Sequence, residues 1–322
     1  MTEWDVVVVG GGPAGLSAAL NLVRARLRVL VLDSNRPRHS ATLVSHGFLT
    51  RDGVSPLDLR ALGREEVDGY EGAEVAFALV TSVERTDDGF RVRATGVRGA
   101  PDRDVTTERI LVTSGLTETL PGVPALRAYY GTSLHSCLTC DGYDKSGQPL
   151  AVIGETDDVA DIAWRTLQWS DDVVVFTNGI SAVSGADRAE LEGAGVRVVE
   201  ERITALEGDR SGLTGVTLES GETIQRSGGF VRPVWAAALG YLAGVDDALD
   251  RDELGLIRTD ELGRSSVAGL YAAGDVTPPG PQQLVVAAGH AAVVVGGILA
   301  DITDERRRSA SAATRPSESE IV

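Results

Sequence analysis

Asp5-Val6-Val7-Val8-Val9-Gly10-Gly11-Gly12-Pro13-Ala14-Gly15 stands near the start of the chain and joins two patterns within eleven residues. The β-branched run up to Val9 reads as a strand buried on both faces of a parallel sheet. Residues 16–24 carry apolar side chains at helical spacing. Between them Gly10, Gly12 and Gly15 form G-x-G-x-x-G, with Pro13 and Ala14 opening the helix. The first glycine permits the tight turn, the second lets the backbone approach a pyrophosphate, and the third lets helix and strand pack closely. A pyrophosphate would rest there on the free N–H groups of the helix N-terminus. A second strand, residues 28–32, ends in Asp33, eighteen residues past Gly15, placed to accept hydrogen bonds from a ribose. Strand, turn, helix and terminal acid together predict an α/β dinucleotide-binding domain.

At 322 residues the chain has room for two domains, and a net charge of −17 argues against nucleic acid or an anionic membrane as partner. The strand begins at Trp4, which leaves no space for a signal peptide, so a soluble cytoplasmic protein is expected. Residues 284–300 are nearly all apolar, but the stretch is about 17 residues long and holds His290 and three glycines. It reads as a buried core helix rather than a membrane span. Lys145 is the only lysine beside many arginines, which reads as a compositional bias.

Cys137-Leu138-Thr139-Cys140-Asp141 holds the only two cysteines. Zinc would need two further ligands, and neither a second pair nor the histidines at 39, 46, 135 and 290 have that spacing. The pair therefore reads as a dithiol/disulfide switch, with no metal. Residues 267–273 then read as a short buried strand ending in Gly274-Asp275.

In order and spacing, the glycine loop, the cysteine motif and Gly274-Asp275 resemble low-molecular-weight thioredoxin reductases, over about residues 4–302. The resemblance implies an α/β architecture of two Rossmann-like three-layer domains. An FAD domain, 1–117 and 246–304, is interrupted by a central disulfide-bearing domain, 118–245, and residues 305–322 form a disordered tail. It implies FAD at the first site, with Ser34, His46, Val83, Gly115, Asp275, Gln283 and Leu284 as further contacts, and a homodimer. The helix opening after Gln283 would direct its N-terminus at the flavin and stabilise negative charge on the reduced ring. Strands are expected over 74–85, 90–95, 109–113 and 228–232.

The family carries a second glycine-rich turn for NADPH. Its frame is present here, a strand over 149–153 and a helix over 159–169. The turn, however, reads Gly154-Glu155-Thr156-Asp157-Asp158-Val159-Ala160. Thr156 stands where the backbone must approach a pyrophosphate, and three acids surround it. The following strand, 173–176, leads into Thr177-Asn178-Gly179-Ile180-Ser181 with no arginine before Arg188 to read a 2′-phosphate. A lost nicotinamide site resembles the FAD-dependent dithiol oxidases of gliotoxin-, holomycin- and romidepsin-type clusters, as does the segment 45–53. These pass electrons from a small-molecule dithiol through the cysteine pair to FAD and O2. Cys-Leu-Thr-Cys-Asp itself is nearer the reductase version, so an NADPH-dependent thioredoxin reductase stays open. A ferredoxin-dependent flavoprotein or a dithiol-sequestering protein is also compatible.

By resemblance Cys137 is the sulfur attacked by substrate, Cys140 the flavin-proximal sulfur, and Asp141 the family's acid. His135, two residues before Cys137, is either the base for the incoming thiol or a structural loop residue. His290 reads as a core histidine that could still approach the flavin, and His39 as a loop residue.

Overall fold

A computed structural model describes residues 2–180, 183–278 and 280–313. The chain divides into two compact units, one of Met1–Pro37, Arg60–Leu116 and the chain from Ala237 onward, the other of Arg38–Leu59 and Thr117–Ala236.

In the first unit β1 (Trp4–Val9), α1 (Pro13–Arg24) and β2 (Val29–Leu32) follow the expected strand–turn–helix–strand order. Next come α2 (Pro56–Asp68), β3 (Ala73–Ala76), β4 (Ala78–Thr86), β5 (Gly89–Gly96) and β6 (Arg103–Val112). The sheet runs β3-β2-β1-β6-β5-β4. β1 is parallel to both β2 and β6, whereas β4, β5 and the first half of β6 form an antiparallel meander. Alternation along β1 explains its unbroken valines: Val7 and Val9 enter one core with Leu30, Leu32 and Ile110, while Val6 and Val8 enter another with Ala18 and Leu22 of α1. The single strand expected over 74–85 is two strands broken at Phe77. The break occurs because Ala76 O and Ala78 N–H both bond the backbone of Asp33 at the end of β2.

The second unit opens with β7 (Leu116–Thr119), α3 (Leu126–Tyr129), β8 (Leu134–His135) and α4 (Leu138–Asp141). It continues with β9 (Leu150–Gly154), α5 (Val159–Thr166), β10 (Val173–Phe176), α6 (Gly185–Gly193) and β11 (Arg197–Val199). A meander of β12 (Ile203–Asp209), β13 (Gly212–Leu218) and β14 (Thr223–Gln225) precedes β15 (Gly228–Arg232) and β16 (Val234–Ala237). Its parallel sheet has the order β11-β10-β9-β15-β8, and β16 pairs with β7. This is a second Rossmann-like layer with the cysteine motif at the end of β8.

The returning chain adds β17 (Leu270–Ala272), parallel to the second half of β6, and the long α7 (Leu284–Ala313). Residues 284–312 are long and apolar enough to cross a membrane. Ala287, Ala291, Val294, Val295, Ile298 and Ile302 nevertheless form one buried face against the α1 side of the sheet.

Three boundaries differ from the sequence expectation. Residues 38–59 group with the second unit, where Arg38 lies over the Trp235 ring and His46 faces Asp144. The return falls at Ala237 rather than 246, because Leu239, Leu242 and Val245 are buried in the core beneath β4 and β5. The tail expected to be disordered from 305 is helical to Ala313, with Glu305 paired to the buried Arg109 and Ser311 bonded back to Arg307 O. The remainder of the tail, and Ser181, lie outside the described residues.

Candidate functional site

The first-unit loop has the geometry of a phosphate cradle. No side chain caps α1 at Gly12. Gly10 has φ +110°, and a Cβ there would lie 2.5 Å from Thr113 O. A Cβ on Gly15 would lie 1.8 Å from Gly10 O, whereas one on Gly12 would meet nothing within 4 Å. Gly10 and Gly15 thus serve packing, and Gly12 faces open space that a side chain would fill. Gly15→Ala is expected to destabilise the chain by about 3 kcal/mol, seen as a lowered Tm. Gly12→Ala should leave the FAD-free Tm unchanged and reduce flavin content instead.

Asp33 is 5% exposed at the end of β2. It accepts from Asn35 N–H at 2.8 Å and from Arg60 Nη2 at 3.0 Å, so the acid is held in place by an ion pair. Ser34 is half-buried beside it. Gly115 (φ +67°) follows β6 with open space where its Cβ would be. Gly274 (φ +77°) packs on Ala14, which carries the Gly274–Val276 turn, with Asp275 at its centre, onto the start of α1. Gln283 precedes α7 and Leu284 opens it. His290 Nδ1 accepts the Gly274 N–H at 3.2 Å, and burial pushes its pKa down. It is therefore a half-buried histidine that braces this turn.

Val83 and His46 are two further contacts that the resemblance implies. Val83 is a fully buried residue of the β4 core. His46 belongs to the second unit, its ring nitrogens 3.5 Å from Asp52 and 3.2 Å from Asp144, so carboxylates already face both. The remaining first-unit residues fit FAD: an uncapped helix start, an open Gly12, and buried Arg60 Nε and Arg64 Nη1 without partners among the described residues.

The second glycine-poor turn is closed by its own side chains. Glu155 Oε1 accepts from Gly122 N–H at 3.0 Å and Asn178 Nδ2 at 2.7 Å. Asp158 takes Thr156 Oγ1 at 2.6 Å and Arg232 Nε at 2.8 Å. Arg188 pairs with Glu200 at 2.6 Å. Arg188 and Arg232 of this Rossmann layer are thus each paired with an acid.

Cys137 and Cys140 form a disulfide. Cys137 caps α4, its sulfur accepting the Cys140 N–H at 3.2 Å. His135 lies at the end of β8 and Asp141 at the end of α4, with side chains 12% and 11% exposed. His135 Nδ1 lies against Asp141 Oδ1, though without the angle of a hydrogen bond, and Nε2 is buried without a partner among the described residues. The two groups that the sequence offered as separate proton carriers are therefore one pair.

Lys145 is the single lysine of the sequence. It lies four residues past Asp141, with helical backbone through Gly142, and is only 7% exposed. Burial lowers its pKa, against the opposing pull of Asp141 and Asp144. A base with a depressed folded pKa gains stability as pH rises through that value towards 10.5, its unfolded reference. Lys145→Met is therefore expected to raise Tm at pH 7, with the gain shrinking as pH approaches 10.5. A constant gain across that range would refute the account.

The family profile described as pyridine nucleotide-disulphide oxidoreductase matches residues 4–291. The thioredoxin reductase of Treponema pallidum is 27% identical over 91% of this chain and 95% of its own length. A protein of Arthroderma benhamiae named as a thioredoxin reductase is 32% identical, but the match spans 55% of this chain and 44% of that protein. Among solved structures, HlmI superposes with a TM-score of 0.87 at 37% identity, covering 96% of both chains. An oxidoreductase from Agrobacterium tumefaciens superposes with a TM-score of 0.84 at 29% identity, covering 94% of this chain and 99% of that one.

Proposed function

Because the chain belongs to the pyridine nucleotide-disulphide oxidoreductase family and is thioredoxin reductase-like, we propose that it is an FAD-dependent dithiol oxidase. Its substrate is a small natural-product dithiol of the holomycin type, converted to the intramolecular disulfide. The observation that carries this reading is the turn at 154–160, whose Glu155 and Asp158 carboxylates occupy Gly122, Asn178 and Arg232. One unit charge about 5 Å from a phosphate costs roughly 3 kcal/mol at an effective dielectric of about 20. A nicotinamide dinucleotide would meet Glu155, Asp157 and Asp158, and would have to take Arg232 from Asp158. Electrons then enter from the substrate instead.

The balance is R(SH)2 + O2 → RS2 + H2O2. A substrate thiolate attacks Cys137 Sγ, the Cys137–Cys140 bond breaks, and Cys140 leaves as thiolate. The second substrate thiolate attacks the mixed disulfide and releases Cys137. That leaving sulfur already accepts the Cys140 N–H, which stabilises its negative charge. The Asp141 carboxylate favours the tautomer with the proton on Nδ1 of His135, so Nε2 is left to take the substrate proton. When bound, FAD supplies the two-electron acceptor that restores the disulfide and hands the electrons to O2. Assembly as a cytoplasmic homodimer, with only small-molecule partners, is proposed with the family resemblance.

The second reading is an NADPH-dependent thioredoxin reductase, favoured by Cys-Leu-Thr-Cys-Asp and by the name of the full-length Treponema relative. Anaerobic flavin absorbance separates the two. The oxidase should bleach with a dithiol but with neither NADPH nor NADH, and recover colour with H2O2 in air. Rapid bleaching by NADPH would overturn the proposal in favour of the reductase.

A further inference from the structure

The carboxyl ends of β2 and β3 carry an arginine pair that the dinucleotide fingerprint does not include. Arg60 and Arg64 are one helical turn apart on α2. That helix rests on the first turn of α1, since a Cβ on Gly63 would come within 3.1 Å of Leu16 Cδ1. Arg60 is 2% exposed and gives Nη2 to Asp33 Oδ2 and, at 2.6 Å, to Asn35 Oδ1, while its Nε has no partner among the described residues. The Arg64 guanidinium lies 5.5 Å from the centre of the Phe77 ring, with Nη1 buried and likewise unpartnered.

Phe77 is fixed beside Asp33 by the two backbone bonds that flank it, and its carbonyl accepts from Val97 N–H, which brings Arg98 close. Burial, with Arg60 and Arg98 as positive neighbours, lowers the Arg64 pKa against Asp33 and Asp68. A buried N–H with no acceptor loses its hydration without compensation. Two of them stand where α/β sheets take ligands, outside the carboxyl ends of the strands. A guanidinium only donates, so the missing partner is an acceptor, as an adenine ring nitrogen or a ribose oxygen is.

We propose that Arg64 is a ligand of the adenosine half of FAD, donating from Nη1 to an adenine or ribose acceptor while Phe77 holds its plane. Arg60 is a positioning residue that fixes the Asp33 carboxylate for the ribose hydroxyls. The inference rests on the family's flavin and is independent of the direction of electron flow.

The test compares the wild-type holoprotein with Arg64→Met and Arg64→Lys. Release of FAD on dilution, read by the rise in flavin fluorescence, should be about 10- to 100-fold faster in Arg64→Met and intermediate in Arg64→Lys. ADP, which carries the adenosine half without the flavin, should raise the Tm of the FAD-free wild-type chain and not that of FAD-free Arg64→Met. FAD release within about twofold of wild type, or an equal ADP shift in both proteins, overturns the proposal. A colourless wild-type protein overturns it together with the flavin assignment, whereas NADPH bleaching would change only the proposed reaction.

Discussion

Replacing Cys140 with serine is expected to abolish multiple turnover with a dithiol, lowering H2O2 release at least about 10³-fold. In the proposed reaction the oxidising equivalent that meets the substrate is the Cys137–Cys140 bond, and these are the only cysteines in the chain. Serine cannot form that bond, and no other group here accepts a thiolate pair. The lesion should leave Tm and flavin content unchanged, since the glycine loop belongs to the first unit and the cysteines to the second. Cys137→Ser should be as inactive in turnover but should differ in trapping. Offered an activated disulfide, Cys140→Ser retains the Cys137 nucleophile and should gain one thiol adduct by intact mass, while Cys137→Ser should gain none. The reverse pattern would exchange the proposed roles of the two sulfurs.

His135→Gln should lower the rate of disulfide opening by about 10²–10⁴-fold, the range for removal of a positioned general base. The measurement is stopped-flow bleaching of the flavin by dithiol under anaerobic conditions. Glutamine keeps the volume but cannot take a proton. The deficit should therefore narrow as pH rises towards about 8.5, where the substrate thiol ionises unaided. Asp141→Asn should produce a similar defect by removing the carboxylate that faces His135 Nδ1. A pH-independent deficit would mean that His135 acts through packing rather than proton transfer. An unchanged rate would remove it from the mechanism.

Much of the fold was legible because β1 and the glycine loop are governed by short-range constraints. A run of valines between polar ends has few options other than a doubly buried strand, and Gly15 has no tolerated replacement once helix and strand meet. The cysteine pair was legible for a similar reason, three residues of separation being enough to form the bond. Boundaries that depended on distant partners were not legible. Residues 305–313 looked like polar tail, yet they continue α7, with Glu305 reaching the buried Arg109 across the fold. The segment 237–245 looked like central domain, yet Leu239 and Leu242 belong to the core beneath β4 and β5.

The same division holds at the candidate site. Residue type and spacing alone determined that this chain carries a glycine-rich strand–turn–helix, a closely spaced cysteine pair and a second turn poor in glycine and rich in acid. Tertiary structure alone decided which charges meet. It joined His135 to Asp141, buried Lys145 beside them, gave Arg232 to Asp158, and set Arg60 on Asp33. Spacing can report one residue's local conformation and chemistry. Pairing across β8 and α4, or across β2 and α2, depends on how those elements pack and on which charges must be matched once water is excluded.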